Sequence, residues 1–364
     1  MANGKFKIAV GMSGGVDSTV AALLLKQQGH AVFGVTMSVW DGGPQTGAAA
    51  ELVGGCYGAD EPEEIARAKN FAKQIGITHY VVDLRPEYKS TVLDYFRAEY
   101  LAGRTPNPCV RCNRLVKLGL LIERTRQQCG DFDFFATGHY ARIENSGGVF
   151  LLKKGADEKK DQSYFLWGLT QRQLSKLMFP LGGLSKPEVR ELALNAGLKE
   201  AAELEESQDF IGGGDYCCLF NPGESKPGPV YDVDGKQVGE HKGIVHYTLG
   251  QRKGIGVGGL KDPLYVVGID AARNAVIVGP REKLFSKGML VRDVNSARSI
   301  TAPLAAKVKI RQQHIPVAAT LYPPENGAAR VEFAEPQFAV TPGQSAVFYD
   351  GDTVAAGAII SEKL

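Results

Sequence analysis

The sequence lacks long hydrophobic runs and a surplus of charge of either sign. No apolar run approaches the ~18 residues of a membrane span, and the N-terminus has no signal-peptide core. We therefore expect a cytoplasmic protein without a membrane partner. The 42 Lys and Arg residues nearly balance the 40 Asp and Glu residues, so a nucleic-acid-binding surface would have to come from local clustering.

Cysteine is scarce and glycine is abundant. Six cysteines in 364 residues are too few for a disulfide scaffold. In a reducing compartment, closely spaced cysteines more often bind a metal or take part in catalysis than serve a structural role. The 44 glycines exceed the usual ~7% and indicate many tight turns. An apolar content of 44% excludes a disordered chain, and the lack of a Gly-X-Y period excludes a collagen-like one.

The apolar pattern predicts an α/β domain followed by two smaller domains. Strands alternate with helices over residues 1–205, with a helical extension at about 165–205, which implies a parallel sheet with ligands at the carboxyl ends of its strands. A small central domain rich in Gly and Pro is predicted over 206–273, and a β-barrel of short strands over 274–364, beginning with the strand AVIVG. The predicted strands of the first domain cover 7–10, 31–37, 79–84 and 132–137, and its helices begin near 18, 61 and 114.

Residues 11–18 have the composition of a phosphate-binding loop between a strand and a helix. They are Gly11, Met12, Ser13, Gly14, Gly15, Val16, Asp17 and Ser18. Gly14 and Gly15 permit positive φ and a close approach of backbone amides to an anion, and the following helix N-terminus adds partial positive charge. Ser13 and Ser18 can donate hydroxyls, whereas Asp17 is unfavourable beside phosphate unless it holds Mg²⁺ or orients a donor. An ordinary glycine turn is the alternative.

A second chemical signal is the pair Cys109 and Cys112, which follows a proline-rich turn and precedes a helix. Thiols in the first turn of a helix with basic neighbours (Arg111, Arg114 and Lys117) are expected to have lowered pKa values and to react as thiolates. A CxxC pair can also provide two ligands to zinc or to an iron–sulfur cluster. The alternative without chemistry is a structural half-site for zinc or a buried pair of small side chains.

The loop SGGVDS resembles that of the ATP pyrophosphatase (PP-loop) superfamily, whose members adenylate a carbonyl oxygen and let a nucleophile displace AMP. Over almost its full length, the chain resembles one family within it, the tRNA-specific 2-thiouridylases (MnmA/TrmU). The segments that carry this resemblance are GMSGGVDS at 11–18, VTMSVW at 35–40, GRTPNPCVRCNRLVKLG at 103–119, ATGHYAR at 136–142, KKDQSYFLWGL at 159–169, ESQDF at 206–210, GQRKGIGVGG at 250–259, LYVVGID at 264–270 and PGQSAVFYDGD at 342–352.

The resemblance implies 2-thiolation of the wobble uridine of tRNA with ATP and Mg²⁺, and a separate sulfur donor fed by a cysteine desulfurase. It implies ATP binding by residues 11–18, Met37 and Gly138, and catalysis by Cys112, Cys109 and Asp17. The implied tRNA contacts are Asn107, Pro108, His139, Asp161, Gln162, Ser163, Arg311, Gln312 and Gln344. Two of the implied site residues depart from the family pattern. Gln312 replaces a residue that is usually aromatic, and Cys109 replaces one that is often Asp.

A further departure concerns the cysteine that carries a persulfide in the family. That cysteine follows ESQD, just before Phe-Ile, whereas here Asp209 runs directly into Phe210. The nearest thiols are Cys217 and Cys218. Either one of them enters the site or sulfur reaches the substrate differently.

Two routes for sulfur follow from this departure. The CxxC pair with Cys217 or Cys218 could ligate a 4Fe–4S cluster that leaves one iron open for sulfide. We favour this cluster over a persulfide on Cys109 or Cys112 and over a structural metal. Cys56 and Cys129 are interpreted as incidental.

We therefore predict a PP-loop enzyme that adenylates the carbon-2 oxygen of a tRNA uridine and replaces it with sulfur through Cys109 and Cys112. One rival is an amide-forming PP-loop ligase, but no glutaminase segment supplies ammonia and the two cysteines would have no use. The other rival is a non-catalytic RNA-binding iron–sulfur protein, against which the intact phosphate loop argues.

Overall fold

The computed structural model describes residues 4–43, 54–204, 209–211, 216–221, 223–257 and 263–364. The chain divides into two compact units. Unit 1 consists of Met1–Val92, Cys109–Tyr216 and Asp352–Val354, and unit 2 consists of Leu93–Pro108, Cys217–Gly351 and Ala355–Leu364. No helix among the described residues is long and apolar enough to cross a membrane.

The elements up to residue 129 alternate between strand and helix. In chain order they are β1 (Lys7–Gly11), α1 (Val16–Gln27), β2 (Ala31–Ser38), β3 (Gly55–Tyr57), α2 (Glu61–Gln74), β4 (Thr78–Asp83), α3 (Arg85–Tyr88) with a π-helical continuation (Lys89–Leu93), α4 (Asp94–Leu101), α5 (Pro108–Arg111) with a π-helical continuation (Cys112–Leu120), and α6 (Leu121–Cys129).

Short elements follow and lead into the barrel. They are β5 (Phe134–Thr137), β6 (Ala141–Ser146), β7 (Val149–Lys154), α7 (Ser163–Leu166), α8 (Gln171–Leu174), β8 (Leu177–Met178), α9 (Lys186–Asn195), α10 (Lys199–Glu203), β9 (Asp209–Ile211), β10 (Gly228–Asp232), β11 (Gln237–His241), β12 (Tyr265–Asp270), β13 (Ala275–Gly279), β14 (Phe285–Ser296), β15 (Leu304–Lys309), β16 (Val317–Leu321), β17 (Ala328–Phe338), β18 (Ser345–Asp350) and β19 (Thr353–Lys363).

Unit 1 is built on a five-stranded parallel sheet in the order β4-β2-β1-β5-β8. The central strand β1 buries Ile8 and Val10 completely, and the apolar sides of α1, α2, α9 and α10 pack with them in one core. Such continuous apolar strands are typical of a sheet covered on both faces. The carboxyl ends of β1, β2 and β5 therefore meet at one edge, where the phosphate loop lies.

Unit 2 contains two all-β structures. The first is a four-stranded sheet in the order β11-β10-β13-β12 with its own apolar core. The second runs β14-β17-β16-β15-β18-β19 and closes by pairing of β19 with β14, which makes a six-stranded barrel. Its interior holds a core of buried aliphatic residues and two phenylalanines. Closure leaves no unpaired edge strand in this barrel.

The predicted fold class is confirmed, with local corrections. The strand AVIVG (β13) pairs in the four-stranded sheet rather than in the barrel. The helix predicted from about 114 begins at Pro108 and passes through a π-helical segment with a kink at Leu118. The domain bounds at 205 and 273 stay a prediction.

Candidate active site

The phosphate loop lies between the carboxyl end of β1 and the first turn of α1. Gly14 has a φ of +80°, whereas Gly15 is extended at −94°, so the predicted need for positive φ holds only for Gly14. Gly15 is the N-cap of α1, and the helix therefore begins at Val16, two residues earlier than predicted. The Ser18 hydroxyl accepts from the amide of Ser13 at 3.1 Å and donates to the carbonyl of Gly15 at 3.2 Å, which ties the loop to the helix.

Gly138 follows β5 and lies directly against the N-terminus of α1. A β-carbon at this position would be 2.7 Å from the carbonyl carbon of Asp17 and 2.8 Å from the amide nitrogen of Ser18. Real β-carbons do not approach backbone atoms so closely, and the atoms concerned belong to backbone that cannot swing away. Gly138 thus permits the contact that closes one side of the phosphate loop.

The acidic residue of the loop is paired with a lysine from a distant helix. The Lys186 ammonium donates to both carboxylate oxygens of Asp17, at 2.8 Å and 2.9 Å, and the Tyr140 hydroxyl donates to one of them at 2.8 Å. Lys186 occupies the first turn of α9, whose start is fixed by a capping box between Ser185 and Glu188. Of the two roles considered for Asp17, orienting a donor is the one that these contacts favour.

The end of β2, which bears Met37, is held in place by α2. Glu61 accepts hydrogen bonds from the Ser38 hydroxyl and the Val39 amide, both at 2.6 Å, and from the Trp40 amide at 2.9 Å. Met37 itself is half-buried. Its strand ends at the same sheet edge as the phosphate loop, which is where nucleotides bind in open parallel sheets.

The two thiols of the CxxC pair differ in exposure. Cys109 lies in α5 and is half-buried, whereas Cys112 opens the π-helical segment and is only 8% exposed. Burial raises the pKa of the Cys112 thiol to about 11, and the charge of Lys117 only partly offsets this. The prediction of a lowered pKa is therefore wrong for Cys112, because removing the thiolate from water outweighs the basic neighbour.

Lys117 interacts electrostatically with the thiols and with His139. Burial acts to lower the pKa of its ammonium group, but the charges of Cys56, Cys112 and Cys109 together raise it. The same ammonium group acts on His139, whose pKa is lowered to about 3 by burial and, to a lesser extent, by the charge of Lys117. Lys117 thus lies within electrostatic reach of the thiols and of the residue that follows Gly138.

His139 is a buried, neutral imidazole at physiological pH. Its Nδ1 lies 2.7 Å from the Thr137 hydroxyl, and the ring packs edge-to-face on Phe179 at 5.7 Å between centroids. A neutral imidazole can offer one donor and one acceptor without adding charge.

The predicted tRNA-contacting residues of unit 1 mostly make hydrogen bonds to neighbouring segments of the chain. Asp161 is 8% exposed and accepts from the amides of Gly155 and Ser163 at 3.1 Å and 3.0 Å and from the Ser163 hydroxyl at 2.9 Å. The side-chain oxygen of Gln162 accepts from the backbone amide of Tyr140 at 2.9 Å, and the backbone amide of Gln162 donates to the Tyr140 carbonyl. These bonds fix the segment next to His139.

In unit 2, Gln344 supports the turn that precedes Cys109. Its side-chain amide donates to the carbonyls of Thr105 at 3.0 Å and Pro106 at 3.2 Å. Asn107 and Pro108, which follow directly, are half-buried. Gln344 thereby positions this turn.

Arg311 and Gln312 lie elsewhere in unit 2, in the turn after β15, and the Arg311 guanidinium donates to the carbonyl of Phe338 at 3.2 Å.

The predicted metal ligands do not assemble. Among the residues that the structure describes, no group of three or more His, Cys, Asp or Glu side chains is arranged to hold a metal ion. Cys217 lies in unit 2 with its sulfur 2.9 Å from Nδ1 of His246, and Cys218 is half-buried. Residues 206–208 of ESQDF and 258–259 of GQRKGIGVGG lie outside the described residues.

Sequence reasoning did not identify Lys186 or Tyr140 as site residues. Only the SKPE start of α9 signals Lys186, and it is typical of an ordinary helix cap. Their common partner, Asp17, lies 169 and 123 residues away in the sequence.

Three family models match the chain in succession. The tRNA methyl transferase HUP domain covers residues 6–212, the tRNA methyl transferase PRC-barrel domain 219–280 and the aminomethyltransferase beta-barrel domain 286–360. Among solved structures, NMN synthetase from Francisella tularensis matches at a TM-score of 0.33 and 17% identity, over 55% of this chain and 65% of that one, which is too low to bear on function.

Curated relatives match over almost the whole chain. The tRNA-specific 2-thiouridylase MnmA of Endomicrobium trichonymphae is 46% identical over 98% of this chain and 99% of its own length. The protein of the same name from Geobacter metallireducens is 46% identical over 98% and 97%. The chain therefore belongs to the tRNA-specific 2-thiouridylase MnmA family.

Proposed function

We propose that this chain is an ATP-dependent sulfurtransferase that converts the wobble uridine of tRNA to 2-thiouridine. The observation that carries the proposal is the continuity, within unit 1, between the phosphate loop and the thiol pair. Gly138 lies against the N-terminus of α1, and the ammonium group of Lys117 acts electrostatically on His139, which follows Gly138, and on Cys112 and Cys109. The name of the curated relatives gives the substrate class.

The phosphate loop would bind the triphosphate of ATP. Backbone amides at the start of α1 and the hydroxyls of Ser13 and Ser18 are donors suited to phosphate oxygens. Asp17 does not repel the anion because Lys186 neutralises it. The carbon-2 oxygen of the uracil attacks the α-phosphorus, pyrophosphate leaves, and the adenylated base is then open to a sulfur nucleophile.

A Mg²⁺ ion is not required by the contacts of Asp17. Both of its carboxylate oxygens already accept from an ammonium group, and the described residues contain no group of three or more His, Cys, Asp or Glu side chains that could hold a metal ion. We therefore assign no step to a protein-bound Mg²⁺. An ion that arrives with ATP would be part of the substrate.

The sulfur is proposed to travel as a persulfide on a cysteine thiol. The three-cysteine ligand set of a 4Fe–4S cluster does not form among the described residues, so no step is assigned to a cluster. Burial keeps Cys112 protonated at neutral pH, whereas Cys109 is more accessible. The persulfide would come from a donor protein supplied by a cysteine desulfurase.

The turn before Cys109 is proposed to receive the base. Asn107 and Pro108 follow the two carbonyls that Gln344 holds, so this turn is preorganised to present its side chains. Extrusion of a base from an anticodon loop is inexpensive because the loop is already single-stranded. We propose that His139 and Gln162 of unit 1, and Arg311 and Gln312 of unit 2, also contact the tRNA.

The test is thiolation of an unmodified tRNA transcript by the purified chain with ATP and glutathione persulfide as the sulfur source. We expect 2-thiouridine in the nuclease digest by mass spectrometry, one pyrophosphate per thiolation, loss of both products in Ser13→Ala, and loss of 2-thiouridine in Cys112→Ala. Wild-type protein that forms AMP and pyrophosphate with ammonia as nucleophile would support the amide-forming rival instead. Iron and acid-labile sulfide in anaerobically purified protein would restore the cluster route.

A further inference from the structure

Cys56 lies on a short strand beside the segment where the family's persulfide cysteine is missing. Its strand β3 pairs in parallel with β9, with Gly55 opposite Asp209 and Tyr57 opposite Ile211. Gly55 and Tyr57 are buried, whereas Cys56 is exposed on the other face. The thiol of Cys56 therefore lies next to the position at which this chain lacks the persulfide cysteine of the family.

The neighbouring aromatic residues connect this strand to the CxxC pair. The ring of Tyr57 stacks on that of Tyr88, with 5.8 Å between centroids and 13° between planes. Burial raises the pKa of Tyr88 well above its usual value, and the charges of Cys112, Cys56 and Cys109 raise it further. Tyr88 thus lies within electrostatic reach of all three thiols.

The hydroxyl of Tyr88 has no hydrogen-bond partner among the described residues, although the side chain is only 1% exposed. A buried hydroxyl without a partner destabilises a protein unless a ligand or substrate satisfies it. A persulfide anion on a nearby cysteine would accept from this hydroxyl. The ammonium group of Lys117, on which the same three thiols act, would balance its charge.

Exposure ranks the three thiols. Cys56 is exposed, Cys109 is half-buried and Cys112 is buried. A donor protein can reach only an exposed thiol, and thiol exchange requires direct contact between the sulfur atoms. Sulfur from outside would therefore meet Cys56 first.

We propose that Cys56 is the outer thiol of the sulfur-transfer site and accepts the sulfane sulfur of a protein or low-molecular-weight persulfide. This proposal rests on the proposed function and replaces Cys217 and Cys218 as the third thiol. The Cys56 thiolate attacks the outer sulfur of the donor R–S–SH, a new S–S bond forms on Cys56, and the donor S–S bond breaks. The donor leaves as R–S⁻ and takes up the proton, so no oxidant or reductant is consumed.

The first experiment uses glutathione persulfide and the full-length chain, without ATP or tRNA. Mass spectrometry of the peptides should show one added sulfur on Cys56 at least about tenfold faster than on half-buried Cys129 or Cys217. Tyr88→Phe should slow the gain on Cys56 severalfold while leaving the urea unfolding midpoint unchanged or raised, because it deletes an unpartnered hydroxyl. Sulfur that appears first on Cys217, or iron that is lost in Cys56→Ser, would overturn the proposal.

The second experiment compares two sulfur sources in the thiolation of tRNA. Cys56→Ser should lose about 100-fold in activity with the persulfide but much less with inorganic sulfide, since sulfide bypasses the entry thiol. Cys129→Ser should behave as wild type with both sources. Equal activity of Cys56→Ser and wild type with the persulfide contradicts the assignment. If the wild-type protein thiolates tRNA with neither the persulfide nor sulfide, the proposed function is contradicted instead. The gain of sulfur on the Cys56 peptide does not depend on the proposed function.

Discussion

The ammonium group of Lys186 lies 2.8 Å and 2.9 Å from the two carboxylate oxygens of Asp17. The lysine side chain is 8% exposed and the aspartate side chain 29%. Because Asp17 sits in the first turn of α1, its charge would otherwise face the anion that the loop is built to bind. The ion pair makes an acidic residue compatible with a phosphate site, and Tyr140 fixes its orientation.

Lys186→Met should weaken ATP binding more than it weakens the fold. Removing the ammonium group leaves the Asp17 charge uncompensated beside the triphosphate, and we expect about tenfold weaker ATP binding, or ~1.4 kcal/mol. The measurement is isothermal titration calorimetry with ATP. Lys199→Met, an exposed lysine at the start of α10, is the matched control and should bind ATP as wild type does. Equal affinities of the two variants would contradict this role of Lys186.

Gly138→Ala should lose both ATP binding and stability. The added β-carbon would be 2.7 Å from the carbonyl carbon of Asp17, so β5 or the helix N-terminus must shift. Overpacking against backbone typically costs ~1–3 kcal/mol. The control is Gly183→Ala, where a β-carbon meets no atom within 4 Å. Urea unfolding of the two variants should differ by the stated amount, and similar midpoints would show that β5 adapts freely.

Local sequence patterns predicted the parallel sheet, the phosphate loop and the barrel because each depends on residues close together in the chain. An apolar strand, a Gly-rich turn and a helix start occupy residues 7–18 without a gap. The partner of Asp17 could not be found in this way, because Lys186 lies 169 residues further on and reads as a helix cap. Only the fold brings the two together.

The electrostatics of Cys112 show the same limit. Its basic neighbours in the sequence indicated a reactive thiolate, yet burial raises its pKa to about 11. Burial is set by residues far along the chain, and the sequence pattern does not report it. Cys56 was interpreted as incidental for a similar reason, since its position beside Asp209 depends on the pairing of β3 with β9.

Gln344→Ala should impair the use of tRNA while leaving ATP binding intact. The variant removes the donor to the carbonyls of Thr105 and Pro106, so the turn at Asn107 loses its support. We expect a KM for tRNA raised by about five- to tenfold, which corresponds to ~1–1.4 kcal/mol. Steady-state thiolation at varied tRNA concentration measures it. Gln237→Ala, at an exposed position of β11, should leave the KM unchanged, and a loss confined to kcat would argue against a positioning role.

Lys117→Met should slow alkylation of Cys112 by iodoacetamide. The Lys117 charge lowers the pKa of this thiol from the value that burial alone would give, so its loss leaves less thiolate at any pH. We expect about a three- to tenfold slower rate at pH 8.5, since one pKa unit is a factor of ten in thiolate. Lys117→Arg, which keeps the charge, should retain most of the rate. Peptide mass spectrometry over time gives both rates, and unchanged alkylation in the methionine variant would contradict this coupling.

His139 should make the fold less stable as the pH falls below neutrality. Its pKa is about 3 in the folded protein, whereas an unfolded histidine titrates near 6.5. Below pH 6.5 His139 therefore binds a proton in the unfolded chain but not in the folded chain. The contribution of His139 to the free energy of unfolding is complete above pH 6.5. It falls by ~1.4 kcal/mol per pH unit between pH 6.5 and pH 3. Urea unfolding at pH 7 and pH 5 should show wild type losing about 2 kcal/mol more than His139→Gln over this interval. Parallel losses in the two proteins would mean that the imidazole is protonated in the folded state.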